Sequence, residues 1–264
     1  MTKLLDDTGF WPLLRSSPDD GVNILDLGFG CGDSTLYLAQ EDLVQSYTGL
    51  TLNQQQYNTA RQRLSYFVKR QQRFKLDDHF KVFLADGAKP ETWNQDIRDS
   101  LAPLPRTRRA NPGSRNLVLA LDVLYHFSPS RQSIFAYVHD SLHATIVAFD
   151  LLLRPEPLSL TQQLTLRLIA LLTSTPYTNF LTPSQYLAQL KAAGYGENEV
   201  TMEDISEHVF SPLTAFLEQR DAELKTIGSG LGMLRAAKWI FGWWSRSGVV
   251  KGYVIIARAQ TEKQ

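Results

Sequence analysis

The sequence predicts an α/β fold: one domain built on a seven-stranded, mostly parallel sheet, with helices on both faces and a helical C-terminal cap. Three observations predict it. Short β-branched or apolar runs alternate with longer polar, helix-patterned stretches through the first two-thirds of the 264 residues, as repeated βαβ units require. A glycine-rich turn closes the first apolar run. Beyond residue 157 the pattern turns mainly helical before a last apolar run.

Val22–Leu27, Ser46–Leu52, Phe80–Ala85, Asn116–Leu121 and Thr145–Leu152 read as strands one to five. Asp33 and Ser34 supply helix-capping chemistry for Asp33–Gln40, the first crossover helix. In Gln54–Arg70, Tyr57, Ala60, Leu64 and Phe67 fall at helical spacing and mark the face packed on the sheet. Trp93–Ser114 begins as a helix and, with three prolines and Arg106, Arg108 and Arg109, ends as an exposed basic loop. After strand five come the candidate helices Leu158–Thr173, Pro183–Ala193, Pro212–Ile227 and Leu231–Trp244, covering the substrate side. A short strand at Glu199–Ile205 and a final one at Val249–Ala259 complete the sheet. The cofactor-binding core is thus 1–157, the cap 158–248 and the last strand 249–259.

Lys plus Arg and Asp plus Glu number 27 each, so no global charge draws the chain to nucleic acid, and no such partner is expected. The single cysteine, Cys31, cannot form an intramolecular disulfide; with no signal-peptide pattern at the N-terminus, this makes a cytoplasmic location the expectation. The most apolar stretches, such as Leu164–Leu172 with Arg167 inside it, are too short to span a bilayer.

Asp26-Leu27-Gly28-Phe29-Gly30-Cys31-Gly32-Asp33 sets a carboxylate and three glycines at the end of the first strand, where open α/β sheets bind ligands. Glycine lets the backbone turn tightly and approach a ligand. A dinucleotide fingerprint requires a third glycine or alanine where Asp33 stands, and an acid at the end of the second strand, which instead reads Gly49-Leu50-Thr51-Leu52. NAD is therefore disfavoured. An acid at Asp26 suits a ligand that carries a cation, such as the amino-acid ammonium of S-adenosylmethionine.

These residues resemble the class I, Rossmann-like S-adenosylmethionine methyltransferases, whose first motif has the form acid-x-G-x-G-x-G, and most closely the branch of cyclopropane fatty acid synthases and sterol and tocopherol methyltransferases. In that branch the second strand typically ends G-I-T-L-S with a Gln soon after; Thr51-Leu52-Asn53 and Gln56 match, with Asn53 in place of Ser. The resemblance gives Thr51, Leu52 and Gln56 the ribose side of the cofactor and Asp86-Gly87 the adenine. It places Asp122, at the end of the fourth-strand motif Leu119–Phe127, beside the methyl donor. Gly28, Gly30 and Gly32 form the cofactor turn.

An activated methyl group needs an in-line nucleophile and, for some acceptors, a base. His126, just past the fourth strand, is the base candidate; the other reading is a histidine that only orders the loop. Tyr125 lines the pocket or contacts the donor through its ring. Cyclopropane synthases carry Glu where Tyr125 stands, so cyclopropanation is not expected. His139 and His143 lie four apart without a third ligand, and no metal is expected; Cys31 reads as a small turn residue. Trp239, Phe241, Trp243 and Trp244, with Arg235 and Lys238, make Leu231–Trp244 either a core helix with a charged outer stripe or a peripheral membrane contact. With Leu158–Thr173 it forms a lid over a small, lipophilic acceptor. The reading is a methyltransferase of small-molecule or lipid metabolism; the alternative is a protein that binds S-adenosylmethionine without transferring methyl.

Overall fold

The structure, a computed structural model, describes residues 22–41, 44–71, 79–101, 116–232 and 234–258. The arginines 106, 108 and 109 lie outside the described residues, as does the N-terminal stretch. In chain order the elements are β1 (Val22–Leu27), α1 (Asp33–Leu38), β2 (Val44–Thr51), α2 (Gln54–Gln71), β3 (Phe80–Leu84), α3 (Gln95–Leu101), β4 (Asn116–Leu121) and α4 (Gln132–Tyr137). There follow β5 (Thr145–Leu153), α5 (Leu160–Leu172), α6 (Pro183–Ala192), β6 (Val200–Asp204), α7 (Ser206–Thr226), α8 (Leu234–Ser247) and β7 (Val250–Ala257).

The seven strands form one sheet in the order β3-β2-β1-β4-β5-β7-β6. Strands β1 to β5 pair in parallel, and β7 inserts antiparallel between β5 and β6. The order reverses between β1 and β4, the topological switch point at which such sheets open a crevice above their carboxyl ends.

Strand periodicity divides the core. Leu25 and Leu27 of β1, with Val118 and Ala120 of β4, enter one cluster under α4 and α6. The alternate residues Ile24, Leu117 and Leu119 enter the other, with Leu38 of α1 and Leu64 and Val68 of α2. A third cluster joins Leu166 and Ile169 of α5, Phe210 of α7, and Ile240 and Trp244 of α8 over β5 and β7.

The helices depart from the sequence reading at three places. α7 begins at Ser206, six residues before Pro212, because the Asp204 carboxylate accepts from the Ser206 amide at 2.9 Å and starts the helix there. Proline is tolerated once the helix is nucleated and packed. The last helix is displaced to Leu234–Ser247, and Trp244, 5 % exposed, is a core residue with ring centroids 5.5 Å from both Phe210 and Phe241. His139 and His143 do not share a helical face, since a π-turn at Val138–Leu142 ends with His143 at φ 46°.

Candidate active site

The residues that follow β1, β2, β3 and β4 meet at one cleft of about 440 Å³, lined by Gly28, Leu50–Gln56 in part, Ala85–Gly87 and Asp122–Ser128 in part. Its walls include nine of the residues singled out above: Gly28, Thr51, Leu52, Gln56, Asp86, Gly87, Asp122, Tyr125 and His126. Asp26, Gly30 and Gly32 lie outside the lining.

The glycine turn is fixed by what it touches. Gly28 has φ +75°, and a Cβ there would come within 2.7 Å of Val123 Cγ2, so the turn after β1 lies directly on the loop after β4. Gly32, at φ +86°, approaches the Ala60 side chain of α2 so closely that a Cβ would lie 2.9 Å from it. At Gly30, φ +61°, an added Cβ meets nothing within 4 Å, so the space over the turn is open to a ligand.

Asp26 stands beneath this turn. It is 2 % exposed, and its Oδ2 accepts hydrogen bonds from Tyr47 Oη at 2.7 Å and Ser34 Oγ at 3.2 Å. Burial dominates those two hydrogen bonds and pushes its carboxyl up to about 6. As it stands, Asp26 ties β1 to β2 and α1.

On the β2 side Thr51 donates to Gln56 Oε1 at 3.0 Å, and Asn53 Oδ1 accepts from the amides of Gln55 and Gln56 at 2.9 and 3.1 Å. Asn in place of Ser thus caps α2 and holds Gln56 at the cleft. Asp86 accepts from the Ala88 amide at 2.9 Å and pairs with Lys89 at 3.2 Å, so it both closes a turn and lines the cleft.

The loop after β4 carries Asp122, Tyr125 and His126 into the cleft. Asp122 holds a left-handed backbone, φ 64°, uncommon for a residue with a side chain. Tyr125 Oη donates to its Oδ1 at 2.9 Å. Burial in the cleft raises the Asp122 carboxyl above its ordinary value, the Tyr125 hydrogen bond draws it back, and the Asp150 charge adds to the rise. The same two carboxylates, after burial, drive the Tyr125 hydroxyl far up, so it remains a donor. His126 Nδ1 lies 3.2 Å from Thr175 Oγ1, and burial lowers its pKa. The imidazole therefore stays neutral at neutral pH, and when Nδ1 donates to Thr175, Nε2 is left as the basic nitrogen.

A buried network behind this loop escapes sequence inspection. Asn179 donates its side-chain amide to the carbonyls of Tyr125 at 3.0 Å and Phe127 at 2.5 Å. Arg131 donates to the Asn179 carbonyl at 3.0 Å and to Asp150 Oδ2 at 2.8 Å, with both side chains of that ion pair fully buried. The available signal was Asp150, a lone charge inside the apolar run Val147–Leu153.

Other candidates serve structure. His139 pairs with Asp140 at 2.7 Å and stacks edge-on against Tyr195. Among the described residues no group of three His, Cys, Asp or Glu side chains is arranged for a metal. Neither Trp243 nor Trp244 lines the cleft.

No protein-family model matches the chain, and no curated protein sequence matches it. Solved structures do. The cyclopropane synthase MmaA2 from Mycobacterium tuberculosis superposes with a TM-score of 0.60 at 18% identity, covering 90% of this chain and 78% of that one. Geranyl diphosphate methyltransferase, solved in complex with SAM, gives 0.56 at 15% identity over 91% and 79% of the two chains. The [4+2]-cyclase SpnF gives 0.57 at 18% identity over 95% and 81%. The likeness establishes the architecture: the chain has the Rossmann-like fold of the class I S-adenosylmethionine methyltransferases.

Proposed function

We propose that this protein is an S-adenosylmethionine-dependent methyltransferase acting on a small lipophilic acceptor. One observation carries the reading: four separate chain segments, each bearing a cofactor-type motif, converge on a single cleft at the switch point of the sheet. The residues fit the cofactor. The turn Gly28–Gly32 offers open space over a close backbone, Thr51, Leu52 and Gln56 would hold the ribose, and Asp86 and Gly87 would bound the adenine end. Asp122 is a cleft carboxylate without a cationic partner among the described residues, and it suits the ammonium group better than the enclosed Asp26. When bound, the cofactor supplies a sulfonium-activated methyl group. His126 Nε2 then takes the proton of the acceptor nucleophile, and Tyr125 braces Asp122.

A lipophilic acceptor draws on one structural neighbour, whose name specifies geranyl diphosphate as substrate. The second reading, a cofactor-binding protein with another chemistry, draws on SpnF, named as a cyclase on the same fold. Thermal shift and titration calorimetry separate these from a protein that binds no cofactor. Saturating S-adenosylhomocysteine should raise Tm by mass action while NAD leaves it unchanged. Absence of both a shift and binding heat would sink the proposal. Where binding is present, label transfer from methyl-labelled cofactor to a lipid extract tells methyl transfer from the second reading.

A further inference from the structure

The sequence of α5 is apolar around most of its circumference, and only one side of it is packed. Leu166, Ile169 and Ala170 are buried in the third core cluster. On the opposite side Leu160, Leu164, Leu168, Leu171 and Leu172 are 51–78 % exposed. At about 100° per residue these five side chains fall within roughly a third of the helix circumference. They form a stripe along the whole of α5, whereas surface helices of globular proteins turn polar residues outward. Thr161 and Thr165 are its polar neighbours.

Charge favours one kind of partner for the stripe. Between Glu156 and Glu197 the sequence has no acidic residue, and its cations are Arg167 and Lys191. Lys191 is engaged by Glu197 at 2.7 Å. Arg167 has no carboxylate partner among the described residues; its guanidinium rests over the ring of the partly exposed Tyr177, 5.2 Å from the centroid. A leucine face bordered by an unpaired arginine and a tyrosine matches a helix lying at a lipid–water boundary, with the cation at headgroup level. A second copy of the chain fits less well. Two-fold pairing of α5 on itself would bring both Arg167 side chains towards the middle of the contact, with no acid on the helix to offset them.

We propose that the outer face of α5 docks on an anionic lipid bilayer. The chain does not cross it, since no described helix is long and apolar enough to span a membrane. Residues just beyond α5 connect this face to the cleft: Thr175 meets His126, and Tyr125 packs on the same core cluster as Leu166 and Ile169. A lipophilic acceptor would therefore reach the cleft from the bilayer. That delivery role rests on the methyl-transfer reading; the docking does not.

The test is co-sedimentation of the full chain with phosphatidylcholine vesicles and with equal mixtures of phosphatidylcholine and phosphatidylglycerol. Wild type should pellet with the mixed vesicles, more weakly with the neutral ones, and less as salt is raised. Leu164→Asp with Leu168→Asp should lower the partition coefficient at least about tenfold, because charge replaces buried apolar surface. Both positions are exposed, so Tm and the S-adenosylhomocysteine shift should persist. Arg167→Glu should abolish the preference for anionic vesicles. The proposal is overturned if wild type ignores both vesicles, if it binds them equally, or if the double variant binds like wild type. It is also overturned if light scattering shows a dimer that the double variant dissociates. Loss of the S-adenosylhomocysteine shift in wild type, with lipid binding intact, would count against the proposed function alone.

Discussion

At the scale of single residues, the two acids of the site differ in what surrounds them. Asp26 is enclosed, and burial lifts its carboxyl from 3.8 to about 6. A raised folded-state pKa means that the native state binds the proton more tightly than the unfolded chain, so this group's contribution to stability falls as pH rises from about 4 to 6. Asp26→Asn should then be more stable than wild type at pH 7.5 by up to about 3 kcal/mol, with the gap roughly halved at pH 5 and closed below about pH 4. Urea unfolding at these pH values measures it, and a gap that widens on acidification would contradict the assignment. Asp122→Asn should instead weaken S-adenosylhomocysteine binding, which Asp26→Asn should largely spare. His126 has the opposite sign of shift from Asp26: burial lowers it, so the acid limb of kcat/KM should lie below the usual 6.5 of histidine. His126→Ala should remove that limb and lower kcat by about 10²–10⁴ if it acts as base; an unchanged kcat would make it a residue that only orders the loop.

At the scale of elements, the loop after β4 is held from below by a network that no local pattern reveals. Asn179 satisfies two loop carbonyls, and Arg131 joins Asn179 to Asp150 on β5. Asp150→Ala leaves the Arg131 charge buried and unpaired, a change expected to cost about 3–5 kcal/mol in urea unfolding. A cost near zero would mean that water reaches Arg131 and that the network does not hold the loop. The contrast with the rest of the site shows what sequence can carry. β1 and β4 were legible to the residue because their alternate side chains enter opposite core clusters. The lining at Gly28, Thr51, Gln56, Asp86 and His126 was legible because each lies in a contiguous motif just past a strand. The engagement of Asp26 by Tyr47 spans 21 residues and that of Arg131 with Asn179 spans 48, and such pairings exist only once the sheet has formed. The start of α7 was obscured by Pro212, a strong local breaker that packing of Phe210 overrides. For α8 the sequence leaves a core helix and a lid both open, because tryptophans are as apolar in a core as over a ligand; Trp244 packs against Phe210 and does not line the cleft.

At the scale of the molecule, the two proposed working surfaces lie apart on the fold and meet through one loop. The cofactor-type lining comes from the carboxyl ends of β1 to β4, whereas the apolar face of α5 belongs to the segment after β5. His126, at the cleft, meets Thr175, just beyond α5. Two ligands should therefore leave two footprints in hydrogen exchange, which reports local opening rather than mean structure. S-adenosylhomocysteine should slow exchange at residues 28–32, 50–56, 85–87 and 122–127, with little change in 160–172. Anionic vesicles should slow 160–172 and spare the glycine turn. If the loop couples the surfaces, each ligand should also slow residues 173–179, and S-adenosylhomocysteine should bind more tightly when vesicles are present, by the same factor that it tightens vesicle binding. Equal affinities with and without vesicles would show that the two surfaces work independently, leaving the Thr175 contact as a structural link alone.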